Sequence, residues 1–340
     1  MTDLLVAGGG PAGLATALYA HHAGLDVTVW EPRPDVIDKA CGEGLMPGAL
    51  AALHDLGVDP AGHPLTGIRY VAGEHRAEAS FRGGPGRGVR RTTLHAALRD
   101  AVLDAGVEIA RRGVSDVRQD ADGMVVDGVR TRYLVAADGL HSPIRRSLGL
   151  DGRPSPVRRY GLRCHAERAP WTSHVEVHWA AAAEAYVTPV AADRVGIAVL
   201  TSGRGSFEEQ LAGFPELRDR VAGHELGEVR GAGPLRQRVL RRVAGRVLLV
   251  GDASGYVDAL TGEGIALGIA QARAAAAAVA LDDPERYERQ WHTITRRYRL
   301  LTTALLGASR WGPARRALVP AATLVPGVFA ATVNTLARPA

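Results

Sequence analysis

Six residues near the start of the chain, Gly8-Gly9-Gly10-Pro11-Ala12-Gly13, constrain its fold more than any other feature. They follow the apolar run Leu4-Leu5-Val6-Ala7 and precede Leu14 to His22, which has helical composition; Val27-Thr28-Val29-Trp30 then reads as a β-branched strand. Strand, glycine turn, helix and strand form a βαβ unit, so the two strands are expected to be parallel. GxGxxG spacing lets the backbone approach a pyrophosphate, and the helix N-terminus adds N–H donors and a favourable dipole. Glu31 ends the second strand, where a carboxylate can accept a hydrogen bond from a ribose hydroxyl and would repel a 2′-phosphate. A glycine turn made only for helix–strand packing is the alternative, and the acid at the strand end favours dinucleotide binding over it.

That motif does not separate NAD from FAD, but a distant one does. Arg246 to Gly264 reads RVLLVGDASGYVDALTGEG: a buried strand ends at Gly251-Asp252, and Gly262-Glu263-Gly264 opens a helix. A carboxylate at a strand end can hold a polyol such as ribitol, and a helix N-terminus can stabilise the negative charge of a reduced flavin. NAD has neither group, so the pair selects FAD. The competing reading is an ordinary strand–turn–helix with Asp252 as a cap.

Composition bounds the partners. With 340 residues, 46% apolar and 23% charged, the chain suits a globular protein with a sizeable core. Its net charge of +5 is spread among interleaved acids and bases, without the basic tract and aromatics of a nucleic-acid track. Cys41 and Cys164 suggest neither a disulfide framework nor a metal site, which makes a reducing cytoplasm the expected location. No metal site is expected. Ala317 to Ala337 is apolar but interrupted by Pro320, Pro326 and Gly327, so packed terminal helices are expected; peripheral membrane contact is the alternative, because Arg310, Arg315 and Arg316 precede it.

Between the motifs, Gly67 to Val71 is strand-like inside a Gly/Pro-rich excursion, and Thr93 to Ala105 looks helical. Val107 to Ala137 returns to strands, with turns expected at Asp120-Ala121-Asp122-Gly123 and Asp127-Gly128. From about Arg158 to Leu200 the pattern alternates, with Val175, Val177 and Trp179 on one face and His174, Glu176 and His178 on the other. Ile265 onward reads as alanine-rich helix.

The chain resembles the flavoprotein monooxygenases of the para-hydroxybenzoate hydroxylase fold and their relatives, the geranylgeranyl reductases and flavin-dependent halogenases. Asp138-Gly139-Leu140-His141-Ser142-Pro143-Ile144-Arg145 matches the DGxxSxxR element of that superfamily, Gly251-Asp252 its GD element, and Arg91 with Leu94 its RxxL segment. The resemblance implies an α/β fold: an FAD-binding Rossmann-like domain of glutathione reductase type, an inserted, mainly antiparallel substrate sheet, and C-terminal helices. The FAD domain is expected at 1–70, 88–157 and 240–282, the substrate sheet at 71–87 and 158–239, and the helical segment at 283–340. Expected contacts to noncovalent FAD are Gly8, Gly10, Pro11, Ala12, Gly13, Glu31, Arg33, Cys41, Gly42, Arg91, Asp138, Asp252, Gly262, Gly264 and Ile265. Cys41-Gly42 lies where the reductase branch carries a cysteine-and-glycine loop over the flavin.

A second GxGxxG is missing, so NADH or NADPH is expected to act as a transient reductant. Lys39 is the only lysine and the halogenase WxWxIP pattern is absent, which argues against halogenation. The reading favoured on sequence is an NAD(P)H-dependent monooxygenase that uses O2 and a flavin C4a-hydroperoxide to hydroxylate an apolar phenolic or quinol-like molecule. An alkyl-phenol or another polyketide would suit it. The alternatives are a double-bond reductase of prenyl or polyketide substrates and a non-catalytic flavin-binding protein. Ala185-Tyr186-Val187-Thr188-Pro189 keeps an aromatic and the proline of the reductases' YxWxFP strand but lacks the tryptophan. Catalytic residues are not identified by sequence; Tyr186, His178 and Cys41 are the pocket candidates. Nothing in the sequence sets an oligomeric state.

Overall fold

The computed structural model describes residues 2–120 and 123–338. It opens with the expected unit, β1 (Thr2–Ala7), α1 (Pro11–His22) and β2 (Val27–Trp30), the two strands parallel. The excursion contains β3 (Gly44–Leu45), α2 (Pro47–His54), β4 (His63–Leu65), β5 (Gly67–Ala72), β6 (His75–Ser80) and β7 (Gly86–Gly88). Then follow α3 (Arg91–Asp104), β8 (Glu108–Ala110), β9 (Val117–Asp120), β10 (Gly123–Val126), β11 (Val129–Ala136) and α4 (Pro143–Ser147). Asp127 and Gly128 turn the β10–β11 hairpin, both with positive φ (44° and 83°), the turn hand that matches strand twist. Of the turn expected at 120–123, Ala121 and Asp122 lie outside the described residues.

The remaining strands are β12 (Tyr160–Ala166), β13 (His174–Trp179), β14 (Ala183–Ala191), β15 (Arg194–Thr201), β16 (Arg230–Ala232), β17 (Val243–Ala244) and β18 (Val247–Leu249). The first sheet runs β17-β18-β11-β1-β2-β8, parallel from β18 to β8. Both its faces are covered: Leu4 and Val6 of β1 enter one apolar cluster, Leu5 and Ala7 another. Gly13 shows why this entry turn tolerates no side chain. A Cβ there would sit on the Gly8 carbonyl oxygen, so the residue lets α1 close onto β1.

The second sheet runs β16-β12-β15-β14-β13-β5-β6 and is antiparallel except where β13 meets β5. The boundary expected at 70/71 falls inside β5, because Gly67–Ala72 pairs along its length with β6 and residues 67–71 pair with β13 on the other side. One face of this sheet packs on α5 (Phe207–Leu211) and α6 (Pro215–Val221) through Cys164, Val187, Ile197 and Val199. The other face looks toward the first domain.

The C-terminal run is four helices, α7 (Gly264–Ala280), α8 (Pro284–Arg310), α9 (Gly312–Leu324) and α10 (Pro326–Leu336). The last three each begin with proline in the first turn, where its missing N–H costs nothing. α8 buries Tyr287, Trp291, Thr295, Tyr298, Thr302, Leu306 and Ser309, a single stripe at three- and four-residue spacing. Three of its rings reach the end of β18 and the segment after it: Tyr287 Oη donates to the Leu249 carbonyl (2.6 Å), Trp291 Nε1 to Ser254 Oγ (2.9 Å) and Tyr298 Oη to the Asp258 carbonyl (2.7 Å). The expected packing of the apolar end is found, with Val319, Phe329 and Val333 buried against Ile68, Val177 and Trp179. Among the described residues no single helix is long and apolar enough to cross a membrane.

Candidate active site

A cavity of about 950 Å³ lies between the two sheets and continues among α8, α9 and α10. Eleven of the sequence-predicted contacts line it: Gly10, Pro11, Ala12, Cys41, Gly42, Arg91, Asp138, Asp252, Gly262, Gly264 and Ile265. Gly8, Gly13, Glu31 and Arg33 stand behind the wall. Glu31 holds the turn in shape: its carboxylate accepts from Gly9 N (2.8 Å) and takes a fork of hydrogen bonds from Arg33 (2.7 and 2.9 Å). Burial works against its ionisation, but these donors outweigh it and hold the carboxyl below its usual range.

Several polar groups point into this cavity without a protein partner. Arg91 Nε and Asp138 Oδ1 are buried and unpaired. Asp252 is accessible from the cavity, and none of the side-chain hydrogen bonds among the described residues reaches its carboxylate; burial raises its pKa, opposed by Lys39, Arg91 and Arg145. α7 starts at the cavity wall with no side-chain cap and no acid in its first turn, leaving its N–H groups and dipole free. An unpaired guanidinium, a free carboxylate and two helix N-termini are what the phosphates, ribitol and pyrimidine edge of FAD require, so the residues present fit that cofactor.

The DGxxSxxR element is a brace. Asp138 Oδ2 accepts from Ile144 N (3.2 Å) at the start of α4, and burial raises its carboxyl pKa. Arg145, only 2% exposed, donates to Asp151 (2.5 Å), the Ala253 carbonyl (3.1 Å) and the Leu140 carbonyl (3.2 Å), tying the loop after β11 to the loop after β18.

The pocket candidates divide. Tyr186 lines the cavity, its hydroxyl donating to the Leu260 carbonyl (2.8 Å), and burial raises its phenol well above the ordinary value, so it serves as a wall. Cys41 also lines it; its Sγ accepts from Glu43 N (3.4 Å), and burial pushes the thiol pKa up, which disfavours thiolate chemistry. His178 does not line the cavity. Val177 pairs with Tyr186 across β13 and β14, so those two share the cavity face and His178 must point the other way, where it meets Glu176 (3.1 Å).

Three site residues were missed by sequence reasoning. His95, one turn into α3 from Arg91, accepts from Ile37 N at Nδ1 (3.3 Å), which leaves its Nε2 proton to donate to the Gly9 carbonyl (2.9 Å). Lys39 lines the cavity near Asp252, Arg33 and Arg91, with burial lowering its pKa. Glu43 is 2% exposed with φ of 58°; it accepts from Arg91 N (2.8 Å) and faces His165 (2.7 Å), beyond which Arg163 pairs with Asp38.

The family described as FAD binding domain matches residues 1–200. Menaquinone reductase of Mycobacterium tuberculosis (strain CDC 1551 / Oshkosh) is 30% identical over 311 residues, covering 81% of this chain and 75% of that protein. Digeranylgeranylglycerophospholipid reductase 1 of Methanopyrus kandleri is 28% identical over 297 residues, 77% of this chain and 76% of that one. Among solved structures, a flavin-dependent brominase superposes with a TM-score of 0.84 over 99% of this chain and 93% of its own; at 18% identity the likeness concerns the fold.

Proposed function

The chain belongs to the FAD-binding-domain family of flavin-dependent oxidoreductases, and from that premise we propose that it is a reductase that saturates a double bond in a long apolar, polyprenyl-type chain. The observation that carries this reading is the far half of the cavity. Its lining from α8, α9 and α10 includes Leu301, Leu305, Leu318, Val328, Phe329 and Leu336, and the only polar side chain these helices contribute to it is Thr332. A ring with hydroxyl groups would find little to bond there, whereas an unsaturated hydrocarbon chain loses nothing on entering. The two relatives above are named as reductases of menaquinone and of a digeranylgeranylglycerophospholipid.

FAD, when bound, supplies two-electron chemistry, with NADH or NADPH as the transient reductant. The chain's residues bind, orient and exclude water. Arg91 counters phosphate charge and His95 fixes the Gly9 carbonyl of the phosphate turn. Asp252 is available to accept from ribitol hydroxyls, and the open end of α7 at the cavity wall would stabilise negative charge on a bound, reduced flavin. α8 through α10 line the remote half with apolar side chains that offer water almost nothing to bond. Both cysteines are free, which suits the cytoplasmic location we assign.

Phenol hydroxylation with O2 is the second reading, favoured by Arg163 and His141, donors that line the cavity and suit a phenol oxygen. Mass spectrometry of the product separates the two. Anaerobic turnover of a prenylated substrate with NAD(P)H should add two hydrogens; a product that needs O2 and gains one oxygen atom overturns the reductase reading. Extraction of FMN in place of FAD would remove the basis for the pyrophosphate assignment.

A further inference from the structure

We propose that the elbow between α9 and α10 docks on an anionic lipid surface, and that the cavity opens there to take its apolar substrate directly from the bilayer. What enters rests on the reductase reading; the docking rests on charge and exposure alone.

Exposure comes first. α9 and α10 meet at 101°, and every residue from Thr323 to Val328 is exposed. Leu324 is 83% exposed, Val325 52% and Val328 65%, a concentration of aliphatic surface that a protein in water rarely leaves uncovered. Val325 and Val328 also line the cavity, so the apolar tip is continuous with the cavity's mouth. The outward stripe of α9 continues it: Pro313, Arg316, Ala317, Ala321 and Leu324 recur at helical spacing and all are exposed. Its other end presents Trp311, 67% exposed, beside Arg310. A helix with an apolar outward stripe, a tryptophan at one end and arginines around it is built to lie along a lipid interface.

Charge selects the occupant. From Arg289 to the end of the chain there are eight arginines and no acid, while residues 1–288 hold 33 basic and 36 acidic residues, a net −3. The elbow therefore projects from the cationic end of a chain that is otherwise slightly acidic, as an anionic headgroup layer would favour. It is also held rigidly. Arg315 on the inner face of α9 donates to the Ala183 carbonyl (2.7 Å) and pairs with Glu184 (2.6 Å), and Asn334 of α10 bonds both Arg82 N (2.7 Å) and the Ser80 carbonyl (2.9 Å). The tip is thus presented by fixed helices.

Flotation of the FAD-loaded full chain with phosphatidylcholine vesicles, with and without phosphatidylserine, tests this. The protein should float with the phosphatidylserine vesicles and be largely released by high salt. Leu324→Glu places a charge at the tip without touching the cavity, and should cut the bound fraction about tenfold. Arg310→Glu with Arg316→Glu should cut it at least as far. All variants should keep their FAD absorbance and their turnover of a short, water-soluble prenyl analogue. Wild-type protein that stays in the soluble fraction, or a Leu324→Glu variant that floats as well as wild type, overturns the proposal. Vesicle binding without turnover of any prenyl compound supports the docking and sinks the reductase reading instead.

Discussion

Glu43 offers the sharpest test of how the site is held. Its carboxyl is 2% exposed, accepts from Arg91 N at 2.8 Å and meets His165 at 2.7 Å, with Arg163 Nε at 3.9 Å. Glu43→Ala removes the acceptor and leaves two buried donors facing each other, a loss on the order of 3–5 kcal/mol for a broken buried pair. Alanine keeps the second cost, the left-handed backbone at φ of 58°. Glycine does not, and that conformation costs a side-chain-bearing residue roughly 1–2 kcal/mol. Glu43→Gly should therefore be about 1 kcal/mol more stable than Glu43→Ala although it removes more atoms.

The same change reaches the cofactor. Arg91 opens α3 and its backbone N–H has no other partner among the described residues, so freeing it loosens the turn that presents the guanidinium to the cavity. Loss of one charge-assisted contact corresponds to about a tenfold weaker FAD affinity. Urea unfolding of the apoprotein followed by circular dichroism gives the stabilities, and flavin fluorescence quenching gives the affinity. A Glu43→Ala variant that loses less than about 1 kcal/mol, or a glycine variant less stable than the alanine one, would show that the buried pair and the backbone strain were both misjudged.

Asp252→Ala should lower FAD affinity by about 1–3 kcal/mol while the fold survives, and Asp252→Asn by less, since an amide oxygen still accepts; equal FAD titrations for both variants and wild type would return Asp252 to a turn residue. Glu263, 4% exposed, has its pKa raised from 4.5 to about 7 by burial, with Arg297 only partly opposing. The folded state then holds a proton that the unfolded chain releases, so stability falls as pH rises from about 4.5 to about 7 and stays low above. Glu263→Gln should flatten that slope and gain about 2–3 kcal/mol at alkaline pH, and an unchanged slope in urea titrations refutes it. Arg315→Ala leaves Glu184, fully buried, with Arg159 alone and should cost about 3–5 kcal/mol; accelerated proteolysis between 311 and 338 is the readout, and wild-type resistance would count against it.

What the sequence made legible follows sequence distance. The phosphate turn, Glu31, Asp252 and the start of α7 are readable because a strand end, a glycine turn and a helix start are all set within a few residues. Gly13 shows the limit even there: its spacing marks a cofactor turn, while its own role is the close approach of α1 to the Gly8 carbonyl. Glu43 and His165 are 122 residues apart and His95 and Gly9 are 86 apart, so no local pattern announces either contact. Only the position of His95, one turn past Arg91 on the same helix, could have drawn notice. The error at His178 has a different cause. Alternation along β13 separates two faces correctly but does not say which one meets the cofactor, and that needed the pairing of Val177 with Tyr186.

The C-terminal helices show what the missing information does for function. Their starts were available in Pro284, Pro313 and Pro326, and the buried stripe of α8 follows ordinary helical spacing. What spacing could not supply is where the stripe lands. Tyr287, Trp291 and Tyr298 land on the segment from Leu249 to Asp258 that carries Asp252, so the helices forming the apolar half of the cavity also pin the cofactor loop. A substrate chain that shifts α8 on entry would therefore bear on the carboxylate at position 252. The two halves of the cavity are mechanically joined through three hydrogen bonds to a single helix, a coupling that resides in the tertiary contacts and in neither motif alone.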